Sequence, residues 1–178
     1  MKRKAKRSKA VRKSAARRSA PKKVQAIPAG YSAITPYLAI QGAAQAIEFY
    51  KKVFGAKEVM RMPAPGGKLG HVEIKVGDSK VMLSDESPAM NFLAPPSTGG
   101  TPVHIHVYVK NVDETVAKAI EAGAKMVRDV QDMFYGDRTG SIEDPFGHFW
   151  HVATHMRDVS MKEMKRAAEE MAKKMSAG

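Results

Sequence analysis

A pentapeptide occurs twice in this chain: Gly55-Ala56-Lys57-Glu58-Val59 returns as Gly123-Ala124-Lys125-Met126-Val127, 68 residues later. Each copy closes a similar unit. Before the first come an alternating apolar stretch, Ile34 to Ile40, and a helical stretch, Ala43 to Phe54, with Ile47, Tyr50 and Phe54 at helical spacing. Before the second come Val103 to Val109, then Val112 to Ala122, with Val112, Val116, Ala119 and Ile120 recurring in the same way. Matching Ile40-Gln41-Gly42 to Val109-Lys110-Asn111 requires an offset of 69, so the copies differ by one residue. A repeated strand-helix unit ending in Gly predicts two similar halves that face one another. The seam between such halves is the first place to look for a ligand.

Period-2 alternation predicts the remaining strands. Lys57 to Met62 reads as a strand stopped by the turn Pro63-Ala64-Pro65-Gly66-Gly67. Leu69 to Val76 puts Val72, Ile74 and Val76 on one face and His71 and Glu73 on the other, and Gly77-Asp78 turns it into Ser79 to Asp85 as a hairpin. A polar, Pro-rich connection, Glu86 to Thr101, leads to the second unit. There Val103 to Val109 puts Ile105, Val107 and Val109 on the helix side and His104, His106 and Tyr108 on the other. Lys125 to Phe134, Arg138 to Glu143 and His148 to Thr154 complete it, with Asp144 setting the turn before Pro145. The expected fold class is α+β: two βαβββ modules, about 31–86 and 101–155, forming a curved mixed sheet around a cleft. Three histidines and a tyrosine are unlike the Lys, Glu and Thr of an ordinary solvated sheet face.

Charge divides the chain sharply. Residues 1–23 carry twelve of the thirty Lys and Arg and no acid; the other 155 carry eighteen of each sign, so the body is neutral. Residues 1–23 have only Val11 and alanines to bury, and residues 1–28 are expected to be a disordered basic tail. Such an arm suits non-specific, salt-sensitive contact with nucleic-acid phosphates, since it has no aromatic ring for base stacking. The absence of cysteine excludes disulfides and thiolate chemistry and fits a cytoplasmic setting. No apolar run approaches 18 residues, which argues against a membrane span. Residues 157–178 form a C-terminal amphipathic helix beginning with a capping box, Ser160-x-x-Glu163. Its stripe of Met161, Met164, Ala168, Met171 and Met175 is expected to pack on a partner subunit or on its own module.

Two βαβββ modules, the helix ending Phe49-Tyr50-Lys51-Lys52-Val53-Phe54-Gly55-Ala56, the strand Val103-His104-Ile105-His106-Val107-Tyr108-Val109 and the hairpin Glu143-Asp144-Pro145-Phe146-Gly147-His148-Phe149-Trp150 together resemble the vicinal oxygen chelate superfamily. This superfamily includes glyoxalase I, extradiol dioxygenases, and fosfomycin and bleomycin resistance proteins. Ile34-Thr35-Pro36-Tyr37-Leu38, Phe134 to Gly140 and Ala153-Thr154-His155 are similar to its PhnB-like subgroup. The resemblance implies modules curled around one cleft of residues 29–156, a small-molecule ligand, and a homodimer.

In metal-using members, four cleft positions supply ligands; here they fall on Thr35, approximately Met82, His104 and His151. Two functional readings stay open, beside a third in which His104, His106 and His151 are satisfied polar residues with no specific ligand. In one, His104 and His151, with Glu73 or His106, hold a divalent ion (Zn, Ni, Mn or Fe) for a lyase or dioxygenase reaction with Glu73 as base. In the other, a cleft without metal sequesters an anionic or aromatic small molecule, as bleomycin-binding relatives do. The expected contacts are Thr35, Tyr37, His106, Tyr108, Arg138 and Phe149. Trp150 is expected in the core, and Glu143 and Asp144, adjacent on a strand, cannot converge as paired carboxylates.

Overall fold

A computed structural model of the chain describes residues 24–176. The basic arm of residues 1–23 lies outside them, as do the side chains of Met171 and Met175. The expected module appears twice, as two mixed sheets. In the first, β1 (Tyr37–Ile40), α1 (Ala43–Phe54), β2 (Lys57–Pro63), β3 (Leu69–Val76) and β4 (Ser79–Asp85) give a four-stranded sheet of order β1-β4-β3-β2. A one-turn helix, α2 (Pro95–Thr98), lies in the connection. The second module, β5 (His104–Tyr108), α3 (Val112–Glu121), β6 (Lys125–Asp132), β7 (Asp137–Glu143) and β8 (Phe149–His155), repeats the pattern as β5-β8-β7-β6. In each sheet the first strand pairs parallel to the last and the other pairs are antiparallel. Helix α4 (Met161–Ser176) follows.

The strand register locates the one-residue difference between the copies. Tyr37 pairs Met82 as His106 pairs His151, an offset of 69, whereas Glu73 and Ser141, on the next strands, are offset by 68. Four residues lie between the partners Lys75 and Lys80 in the first hairpin, and five between Glu143 and Phe149 in the second. The repeated pentapeptide marks a further shared device. A β-bulge falls between Glu58 and Met60 and again between Met126 and Arg128, so both outer strands re-aim the residue that follows.

One apolar core joins the modules. Ile40, Ile47, Ile74 and Leu83 from the first and Val112, Ile142, Trp150 and Val152 from the second are fully buried in a single cluster. The rings of Phe54 and Trp150 approach to 4.7 Å across the seam. Asp144 is the polar pin of this seam. Its carboxylate accepts from Tyr50 Oη on α1 (2.8 Å), from Trp150 Nε1 (2.9 Å), and from the amides of Phe146 and His148. The turn-setting role expected for Asp144 therefore holds, and burial with the neighbouring carboxylate raises the Tyr50 pKa well above its ordinary value.

The helices are capped according to local sequence. Asn111 Oδ1 accepts from the Glu114 amide at the start of α3. At α1 the N-cap is Gly42, at φ 88, which has no side chain to offer; Asp85, from the end of β4, accepts from the Gly42 and Ala43 amides instead. Half of the expected capping box forms at α4, where the Glu163 amide donates to Ser160 Oγ. Two expectations need correction, and a third is narrowed. Ile34 is 85% exposed and Val103 66%, both outside the strands, because the polypeptide is still in the connections there. Ile120 faces solvent at the edge of the α3 stripe. Met161 of α4 is 66% exposed, so that end of the stripe is not covered by its own module.

Candidate functional site

On the face of each sheet away from its helix, the register lines up one residue from each strand. The first module gives Tyr37, Met82, Glu73 and Met60; the second gives, at the equivalent positions, His106, His151, Ser141 and Arg128. The duplication supplies the same geometry twice and different chemistry each time.

In the second module two of these side chains, His151 and Ser141, join His104 in a connected polar network. His104 Nδ1 lies 3.0 Å from His151 Nε2, and His151 Nδ1 lies 2.8 Å from Ser141 Oγ. Phe149, opposite His104 in the register, stacks on its ring at 4.9 Å. Burial, followed by charge effects of His104, Arg128 and His106, lowers the His151 pKa and favours its neutral form. Further along, Asp137 is buried and accepts from Tyr108 Oη at 2.7 Å while His155 Nδ1 lies 2.7 Å from its other oxygen. Burial alone would raise the Asp137 pKa; these two hydrogen bonds outweigh it and the pKa is lowered. His106 packs against Tyr108 with ring centroids 4.8 Å apart.

In the first module Glu73 is the centre. Tyr31 Oη donates to Oε1, Lys80 Nζ lies 2.9 Å from Oε2, and His71 Nε2 is 3.6 Å away. The hydrogen bonds from Tyr31 and Lys80 outweigh burial and hold the carboxyl below its ordinary pKa. A carboxylate so occupied is a weak base, and the desolvation that would have tuned Glu73 upward for proton abstraction does not prevail. His71 also meets Tyr37 Oη at 2.9 Å.

The β1 and β5 edges do not pair with each other. Together with the connection they line a cavity of about 700 Å³. One wall carries Tyr37, whose ring meets Phe92 edge-on at 5.1 Å, and Leu38; the other carries Val103, His104, Ile105 and His106. His148, buried, closes it from within, its Nε2 lying 3.1 Å from the Ala39 carbonyl oxygen. A second space of about 390 Å³, lined by Lys80, His106, Tyr108 and Trp150, lies on the other flank of His106. The cleft expected between the modules is therefore present as a divided space with His106 lining both parts.

The side chains do not fit a divalent metal. His104 and His151 are brought together, but their nitrogens face each other at hydrogen-bond distance instead of converging on a third point. Thr35 is half-buried outside β1, its hydroxyl directed to the Ser32 carbonyl, and the equivalent first-module strand positions are Tyr37 and Met82. Among the described residues no group of three or more His, Asp or Glu side chains is arranged to hold an ion. Two imidazoles without a carboxylate fall short of the donor sets such ions prefer.

Arg138 does not reach the cleft. It lies on the helix side of β7, one residue from cleft-facing Asp137, and forms a two-bond ion pair with Asp113 of α3 and a third contact to Asp132, which raise its pKa. The sequence reading missed Arg128, because strict alternation along β6 would put it on the same face as Met126; the bulge between them reverses this. Phe92 and Ser141 were also unforeseen, the first lying in an irregular connection and the second having no chemical signature of its own.

Two four-stranded βαβββ modules around a shared small-molecule-sized cavity define a class of paired-module proteins. The chain belongs to the glyoxalase/bleomycin resistance protein/dioxygenase superfamily, whose family model matches residues 33–152. It is 43% identical over 138 residues to an uncharacterized protein of Mycobacterium tuberculosis, covering 76% of this chain and 81% of that one. Among solved structures it is similar to TioX from Micromonospora sp. ML1 (26% identity, TM-score 0.55, 72% of this chain and 100% of that one). A PhnB protein from Bacillus cereus (16% identity, TM-score 0.56, 69% and 99%) shares the fold. Among the described residues no helix is long and apolar enough to cross a membrane.

Proposed function

We propose that this chain is a PhnB-like, bleomycin-resistance-type protein that binds a small aromatic molecule without a metal ion, between the edges of β1 and β5. The observation that supports it is the pairing of an aromatic wall, Tyr37 and Phe92, with imidazoles, His104 and His106, across a cavity of about 700 Å³. Flat apolar surface would be buried against the rings and Leu38, Val103 and Ile105, while the imidazoles orient a polar group. The unpaired edges of β1 and β5 add backbone donors and acceptors to the rim. A homodimer, expected for such proteins, would give the exposed end of the α4 stripe at Met161 a surface to cover.

Titration with the neutral fluorophore N-phenyl-1-naphthylamine tests this reading. Saturable fluorescence enhancement is expected, unchanged by EDTA and lost when Val103→Trp fills the cavity. Binding or turnover that appears only with added Zn, Ni, Mn or Fe, and vanishes with the chelator, would replace it with a metal-dependent lyase or dioxygenase.

A further inference from the structure

We propose that Arg128 is the anchor of a second subsite, on the second module's open face, that takes the oxyanion of a small organic acid such as a phosphonate or carboxylate. The proposal deepens the small-molecule reading and rests on it for the remainder of the ligand; the anion contact itself comes from this face alone.

The guanidinium is placed but not used. The bulge preceding Arg128 turns it over β7, where it pairs in register with Ser141 and its Nη2 reaches Thr139 Oγ1 at 3.5 Å. Its Nε is buried and has no hydrogen-bond partner. Among the described residues no carboxylate lies within ion-pair distance of it. A buried guanidinium donor without a partner is rare in folded proteins, because desolvation is then uncompensated. Arg138, ten residues later, shows the ordinary arrangement, with its fork filled by Asp113.

The surroundings add hydroxyl groups and a neutral imidazole. Ser141 and Thr139 are buried hydroxyls beside the guanidinium, and His151 lies one strand away. The acids on this face are engaged elsewhere: Asp137 by Tyr108 and His155, and Glu143 near Lys125 at 3.6 Å. A guanidinium that meets no carboxylate among the described residues and lies beside hydroxyl groups suits an oxyanion. The equivalent first-module position is Met60, so the subsite belongs to one module only.

Calorimetric titration with phenylphosphonate and with benzoate, in phosphate-free buffer, tests this. Wild-type protein is expected to bind at least one of them; Arg128→Gln should weaken it by about tenfold or more, and Arg128→Lys by less, since the charge remains but the fork is lost. Arg138→Gln should bind as wild type does. Because Nε is unsatisfied, Arg128→Gln without ligand should melt no lower than wild type, which separates a binding role from a structural one. Equal affinity in Arg128→Gln and wild type overturns the proposal, as does an absence of anion binding by protein that still binds N-phenyl-1-naphthylamine. Arg128-dependent anion binding without binding of the neutral fluorophore would instead overturn the cavity reading and leave this subsite standing.

Discussion

Tyr50 on α1 and Asp144 in the last hairpin are 94 residues apart, and the tyrosine hydroxyl donates to the buried carboxylate at 2.8 Å. This contact ties the first module's helix to the turn that ends the second module's sheet. Asp144→Ala would leave the Tyr50 and Trp150 donors and two amides without their acceptor. A loss of about 3–5 kcal/mol in urea unfolding is expected, against about 1–2 kcal/mol for Tyr50→Phe. The two losses should be non-additive in a double-mutant cycle, because the residues share one network.

The paired histidines should separate binding from stability. His104 is exposed, and His104→Ala is expected to cost less than about 1 kcal/mol of stability. His151→Ala would strand the buried Ser141 hydroxyl and cost about 1–2 kcal/mol. In the double variant, affinity for the small-molecule probe should fall by about tenfold while the fold persists by circular dichroism. Unfolding of the double variant at room temperature would assign both rings to structure alone.

His155 should make stability depend on pH. Its hydrogen bond to Asp137, with a second to Asp158, raises its pKa. The stabilisation is thus fully present below the ordinary imidazole value of about 6.5 and disappears as pH rises through the raised one. Asp137 has the opposite sign: its contribution holds above the ordinary carboxylate value of about 3.9 and is lost as pH falls through the lowered one. The difference in melting temperature between wild type and His155→Gln should be greatest near about pH 5.5 and shrink by about pH 9. A difference that does not change across this range would show that the pair is not ionised in the folded protein.

Gly136 fixes where the chain leaves β8 for α4. It has φ 99, its carbonyl accepts from the Met156 and Arg157 amides, and a Cβ there would sit 2.1 Å from the Arg157 carbonyl oxygen. Gly136→Ala combines a left-handed backbone with a clash against main chain, and should cost about 2 kcal/mol or more. Limited proteolysis between Arg157 and Met161 is expected to accelerate in this variant.

The exposed methionine end of α4 gives a test of assembly. Light scattering should show a dimer for the full chain and a smaller fraction of dimer after truncation at Arg157. A monomer at every concentration of the full chain would remove the homodimer.

Local pattern alone was enough for much of this molecule. The repeated pentapeptide, the alternation of Leu69 to Val76 and of His104 to Tyr108, and the helical spacing of Ile47 and Tyr50 specify two βαβββ modules, because side-chain period decides which face of an element can be buried. The same alternation put His104, His106 and Tyr108 on one face, as observed.

What lay beyond reach depended on contacts between distant segments. Whether Arg128 or Arg138 serves the open face follows from a bulge in β6 and from the position of Asp113 on α3. Whether Glu73 is a base follows from Tyr31 and Lys80, 42 and 7 residues away. Whether His104 and His151 chelate or simply share a proton follows from how β5 and β8 lie beside each other. Sequence determined the two modules, because their periodicities are local; tertiary structure decided the chemistry, because the charge and aim of each side chain were set by partners that periodicity does not name.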